Sequence, residues 1–300
     1  MSMRSFLPVA ILVALAFQTA ALADEQPANA QPVPDYMRYA EDARSARLEV
    51  AIRSFRMPSG QRVDLIGVVH IADDAYYQAL NQRFDRYDAV LFELVGNPKL
   101  LTETPPQVLK QQYEQDQANA VNLSALQRAV GKYLNLTFQL GEIDYTKKNM
   151  VHADASAAEF AKMQQERGET MLTLFLRAMS AQFSADPKAP AVDELNTFDL
   201  IRILLSPDSA TEFKKALAKV FDQSESVMEL MEGSGGSAVL SGRNELVMRK
   251  LQEMLADPRQ RRVAVFYGGG HMPGIQAQLT GKLNAKVTGE EWLAAWTMPK

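Results

Sequence analysis

The sequence predicts an α/β protein with a central mixed, mostly parallel sheet built from two Gly-x-x-His halves and a long helical insertion between them. Three observations predict it. Strand-like runs alternate with a helix over residues 48–95, a strand and a helix return after residue 262, and almost everything from about 101 to 257 has helical spacing.

Residues 1–23 carry one positive charge at Arg4, an apolar run from Phe6 to Phe17, and Ala21-Leu22-Ala23 before Asp24. This is the form of a secretory signal peptide, and the run is short for a membrane span. The expected location is secreted or periplasmic, with cleavage after Ala23. A flexible leader is expected over 24–47, because DEQPANAQPVPD has three prolines and almost no bulky apolar residue. One domain should then fill 48–300.

Within that domain, LEVAIRSF (48–55) and RVDLIGVVH (62–70) read as a hairpin across RMPSGQ. Asp73 is placed to cap a helix bearing Tyr77, Leu80 and Phe84 on one face, and AVLFELV (89–95) follows as a buried strand. The insertion is expected at about 101–241. Ser156 with Glu159, and Ser209 with Glu212, have capping-box spacing. Phe160, Met163, Met171, Phe175 and Met179 form a packing stripe weakened by Gly168. GSGGS (233–237) reads as a loop, GRNELVMRKLQEMLAD (242–257) as a helix and VAVFY (263–267) as a strand. Pro273 suits a helix's first turn, and NAKVT is expected as the last strand.

Composition narrows the chemistry. The chain has 47% hydrophobic residues, enough for a substantial core, and no cysteine, which removes disulfides, thiolate metal sites and cysteine nucleophiles. Its formal charge of −4 becomes −5 without Arg4, which argues against nucleic acid as the main partner. No stretch beyond the N-terminus reaches the length of a membrane span.

DLIGVVHIADDAYYQAL and AVFYGGGHMPGIQAQL share one pattern: strand, Gly-x-x-His, short loop, helix, with Gly67 and His70 in the first and Gly268 and His271 in the second. If both strands are parallel neighbours, both histidines lie at the carboxyl edge, where open α/β sheets bind ligands. Glu93 ends the next strand. Two imidazoles and a carboxylate suit a divalent metal, or a general base oriented by an acid. The plainer readings are a hydrogen-bonded strand-end histidine and a carboxylate that pairs with arginine or caps a helix. His152, just before a capped helix, is a possible third ligand, although capping alone explains Asp154 and Ser156. Arg243 either holds a substrate carboxylate or oxyanion or is a surface arginine.

LIGVVHIADDAYYQAL with YDAVLFELVG, and GRNELVMRKLQEML with VFYGGGHMPGI, resemble the paired signatures of the TraB/PrgY/GumN family. That family sits in a larger group with the Tiki proteases and, more distantly, erythromycin esterases and ChaN-like haem-binding proteins. The resemblance covers both ends of 48–300, and the helical middle matches only loosely. It implies an α/β core with a site made from both halves and, in the Tiki branch, metal-dependent peptide hydrolysis. His70, Glu93 and His271 match the site positions, and Arg243, followed by Asn244, matches the family's arginine-asparagine pair. The membrane-embedded TraB and PrgY branch has C-terminal spans not seen here, so the nearer likeness is to exported, GumN-like members.

The leading expectation is therefore an exported metal-dependent hydrolase of peptide bonds. His70, His271 and Glu93 would hold a divalent ion (Mn, Co or Zn), Glu93 would activate water, and Arg243 would steady substrate or oxyanion. Asn244, Gly67 and Gly268 are supporting candidates. The alternatives are a metal-free esterase with a histidine base, and a non-catalytic module that binds a peptide, a signal or haem.

Overall fold

The computed structural model describes residues 35–115, 133–169, 206, 208–222 and 236–299. The expected signal peptide, most of the leader, Met171, Phe175, Met179 and residues 233–235 lie outside them.

Strand β1 (Met37–Glu41) and strand β2 (Ser45–Arg56) come first. The leader expected up to residue 47 therefore ends earlier: β1 pairs antiparallel with the first half of β2, from Met37 opposite Val50 to Glu41 opposite Ala46. Strand β3 (Arg62–Val68) pairs antiparallel with the second half of β2, which is the hairpin read from the sequence. Gly60, at φ +88, closes its turn in a conformation that favours glycine.

A two-residue strand β4 (Ile71–Ala72), helix α1 (Asp74–Phe84) and strand β5 (Ala89–Phe92) follow. Asp73 precedes α1 without a side-chain cap. Its carboxylate accepts hydrogen bonds from Lys214 Nζ (2.7 Å) and Thr297 N (2.6 Å) and so ties distant segments together.

The segment expected to be a helical insertion is not purely helical. It holds helices α2 (Lys99–Thr102), α3 (Pro106–Gln115), α4 (Gln139–Glu142), α5 (Ala157–Glu166) and α6 (Ser209–Asp222). It also holds strand β6 (Thr137–Phe138), paired with β4, and strand β7 (Met150–His152), which joins the main sheet beside β5. The capping box at Ser156 and Glu159 forms as read, whereas Ser209 lies inside α6 as its first residue. Gly168 ends α5 instead of weakening it. At φ +63 it lets its own N–H reach Gln165 O and that of Glu169 reach Gln164 O, a Schellman closure.

Helix α7 (Arg243–Leu255), strand β8 (Arg262–Gly268), helix α8 (Met272–Leu283) and strand β9 (Lys286–Pro299) complete the chain. β9 is longer than NAKVT and pairs antiparallel with β2 along its whole length. The result is a mixed seven-stranded sheet ordered β1-β2-β3-β8-β5-β7 with β9 on the far side of β2. β3, β8, β5 and β7 are parallel.

The central strands are almost wholly buried, as expected for parallel strands covered on both faces. On one face Ile66, Val90 and Phe266 pack against Tyr77, Leu80 and Phe84 of α1. On the other, Leu65, Leu91 and Val265 pack against Val247 and Leu251 of α7 and Ile275 of α8. Successive side chains point to opposite faces, so one strand feeds both layers. Among the described residues no helix is long and apolar enough to cross a membrane.

Candidate functional site

β3 and β8 are parallel neighbours with Val68 opposite Gly268, and β5 lies on the other side of β8. Glu93, His271 and the segment leading to His70 thus leave the sheet at one edge. The hydroxyl of Tyr76 donates to Gly67 O (3.1 Å) and that of Tyr77 to Val69 O (2.8 Å), so α1 fixes the chain just before His70.

Glu93 follows β5 directly. Its Oε2 accepts the Gly268 N–H at 2.6 Å, and the fit is close: a Cβ on Gly268 would lie 3.3 Å from that oxygen. Its Oε1 accepts from Nη2 of Arg243 at 2.5 Å. The same guanidinium grips Asp154, through Nε to Oδ1 (2.8 Å) and Nη2 to Oδ2 (2.5 Å), and donates from Nη1 to Nε2 of His271 at 3.3 Å. All four side chains are buried or nearly so. Arg243 is the first residue of α7, after a π-helical turn at Ala238–Gly242 that Ser237 caps by accepting from Leu240 N.

Each of the three guanidinium nitrogens is already donating. Arg243 is therefore the hub that holds the cluster together. Flanked by two carboxylates, it stays charged, its pKa lifted despite burial. Burial pushes the Glu93 carboxyl up, but the neighbouring His271, Arg243 and His70 side chains, with the Gly268 N–H, outweigh it and hold the group at about 2. Burial lowers the His271 pKa, and an arginine can only donate to Nε2. The imidazole is thus neutral, with its proton on Nδ1, where Oδ1 of Asn244 accepts it at 2.8 Å. Gly274 makes room for this asparagine: a Cβ there would stand 2.6 Å from Asn244 Nδ2.

His70 is exposed at the same edge, near enough to act electrostatically on both Glu93 and His271. Its Nδ1 pairs with Oε1 of Gln139 at 2.9 Å. His152 is not brought into the cluster; its Nε2 pairs with Leu94 O at 2.8 Å, and its ring lies against Phe92. Gly67 is a close-approach position: a Cβ would stand 2.8 Å from Val50 Cγ1.

A divalent ion on His70, Glu93 and His271 would need their lone pairs to converge. In this arrangement Arg243 covers Nε2 of His271 and Oε1 of Glu93, and Gly268 covers Oε2. Among the described residues no group of three His, Asp or Glu side chains is set to hold a metal. The donor set as it stands is taken up by the Arg243 guanidinium at its centre and does not fit a metal ion.

Two members of the site are absent from the sequence reading. Asp154 was explained as capping, and it does accept from Ala155 N, but it also follows β7 at the same sheet edge that Glu93 occupies after β5. That shared placement was the available signal. Gln139 follows a two-residue strand and had none.

Comparison with models of known protein families, with curated proteins and with solved structures finds no match.

Proposed function

We propose that this chain is a hydrolase of amide or ester bonds, with peptides the first substrate class to test and the carboxyl edge of β3, β8 and β5 as its site. The observation that carries the reading is a buried Glu93–Arg243–Asp154–His271 cluster beside an exposed histidine, His70. The resemblance of the two Gly-x-x-His halves to a group containing peptidases and esterases points the same way, and the two halves would together form the one site.

His70 acts as general base. As the oxygen of a water bonds to the substrate carbonyl carbon, its proton passes to His70 and the carbonyl π pair moves onto oxygen. Collapse expels the amine or alcohol, which takes the proton back from His70, so one water is added across the bond. Glu93, ionised and held by Arg243 and Gly268, supports the positive charge His70 gains. Asn244 and Arg243 keep His271 neutral and fixed. No metal enters these steps, because Arg243 stands among the expected ligands.

The test is cleavage of a diverse peptide mixture and of simple esters, read by mass spectrometry, with chelator present and absent. His70→Ala should lower the rate by about 10²- to 10⁴-fold, and chelator should leave wild type unchanged. Cleavage abolished by chelator and restored by Mn²⁺, Co²⁺ or Zn²⁺ would overturn the metal-free mechanism. Silence on every substrate with every metal would favour a binding module.

We further propose export, supported by the character of residues 1–23. The intact mass of protein from its native compartment should correspond to a chain starting at Asp24; a full-length chain would refute it.

A further inference from the structure

We propose that Gln139 is a positioning residue for His70: its side-chain carbonyl holds the imidazole proton on Nδ1 and so leaves Nε2 as the basic atom. This rests on His70 being the base proposed above.

Gln139 is buried, and His70 and Gln139 are joined twice. The Gln139 backbone N–H donates to His70 O at 2.9 Å, and its side-chain Oε1 lies 2.9 Å from His70 Nδ1. The β4–β6 pairing just beyond each residue, Ile71 opposite Phe138 and Ala72 opposite Thr137, sets this register. The other end of the amide is also occupied: Nε2 donates to the hydroxyl of Tyr145 at 2.8 Å, and Tyr145 is buried against Phe92, next to Glu93. With the amide in this orientation, Oε1 can only accept, so His70 Nδ1 must carry the hydrogen.

The second histidine supports the assignment. At His271, Nδ1 faces the amide oxygen of Asn244, and there the tautomer is fixed independently because Arg243 donates into Nε2. The two Gly-x-x-His histidines thus meet the same kind of group through the same ring atom. A neutral imidazole otherwise divides its proton between two nitrogens, and a base with its proton on the wrong one cannot act.

The experiment uses the full chain labelled with ¹⁵N-histidine, and long-range ¹H–¹⁵N spectra read the tautomer of each of the three histidines. His70 should be Nδ1–H in wild type. Gln139→Ala should release it toward Nε2–H while His271 keeps its signals, which also reports that the fold is intact. Gln139→Glu retains an acceptor oxygen and should retain the Nδ1–H form. In kinetics, Gln139→Ala should lower kcat about tenfold or more with KM little changed, and Gln139→Glu should recover most of the loss.

The inference is overturned if wild-type His70 carries its proton on Nε2, the pattern expected if the amide is turned over and Tyr145 donates to it. It is equally overturned if Gln139→Ala leaves the tautomer unchanged. If Gln139→Ala fails to fold, Gln139→Glu decides alone: a shift to Nε2–H there refutes the proposal. A tautomer that responds as expected in a protein with no hydrolytic activity leaves Gln139 in place and removes the hydrolase reading.

Discussion

Arg243 holds the site together by joining two carboxylates and an imidazole that come from three separate segments. Replacing it with Gln would leave Glu93 and Asp154 in a buried pocket without their cation, and breaking a buried ion pair from one side costs about 3–5 kcal/mol. Arg243→Gln should therefore lower urea-unfolding stability by that order. Arg243→Lys keeps the charge but not the fork that grips Asp154 through two nitrogens, so it should fall between Gln and wild type. A loss below about 1 kcal/mol for Gln would show that the carboxylates find water or other donors. At this scale the sequence singles out His70, His271 and Glu93 as candidates, because two repeated motifs and a strand-end carboxylate have visible patterns, and Arg243 by its place at a helix start after a glycine-rich loop. Asp154 was hidden by its second role at a helix start. Gln139 was hidden because its contact to His70 depends on a two-residue strand pairing across 69 positions, which leaves no periodicity to read.

The ends of strands β3 and β8 depend on glycines for space, and each glycine makes room for a different element. Gly67 lies under Val50 of β2, a buried β-branched side chain with little freedom to turn, and an added Cβ would approach it to 2.8 Å. Gly67→Ala should cost about 1–3 kcal/mol through overpacking, and adding Val50→Ala should return part of that loss even though it is itself a large-to-small change. Thermal unfolding of the two single variants and the double variant measures the coupling, and simple additivity would refute the contact as the cause. The helix-strand units flanking the site were legible because their strands are continuous apolar runs and their helices have one apolar face. β1 and β9 were harder to read. The first half of β9 is exposed and rich in charge, so it lacks the alternation that marks a half-buried strand, and only its pairing with β2 makes it one. β1 follows a proline-rich stretch and is likewise held by β2.

For the molecule as a whole, the buried cluster makes folding depend on pH in a defined direction. His271 has its pKa lowered from 6.5 by burial, so as pH falls below 6.5 the unfolded chain takes up a proton that the folded one resists, and stability declines. Glu93 is held at about 2 against an ordinary 4.5. Its contribution is complete above 4.5 and is lost as pH falls toward 2, since acid then protonates the unfolded chain first. At 1.36 kcal/mol per pH unit that contribution is on the order of 3 kcal/mol. Both groups act in the same sense, so stability should fall in two stages on acidification, the first beginning near pH 6.5 and the second below pH 4.5. Urea titrations at pH 7, 5.5, 4.5 and 3 would trace both. Glu93→Gln cannot titrate and should flatten the lower stage while lowering stability at pH 7; His271→Gln should flatten the upper stage. If Glu93→Gln loses stability in parallel with wild type from pH 4.5 to 3, other carboxylates govern acid unfolding, and the Glu93–Arg243 pair does not set the acid limit of the fold.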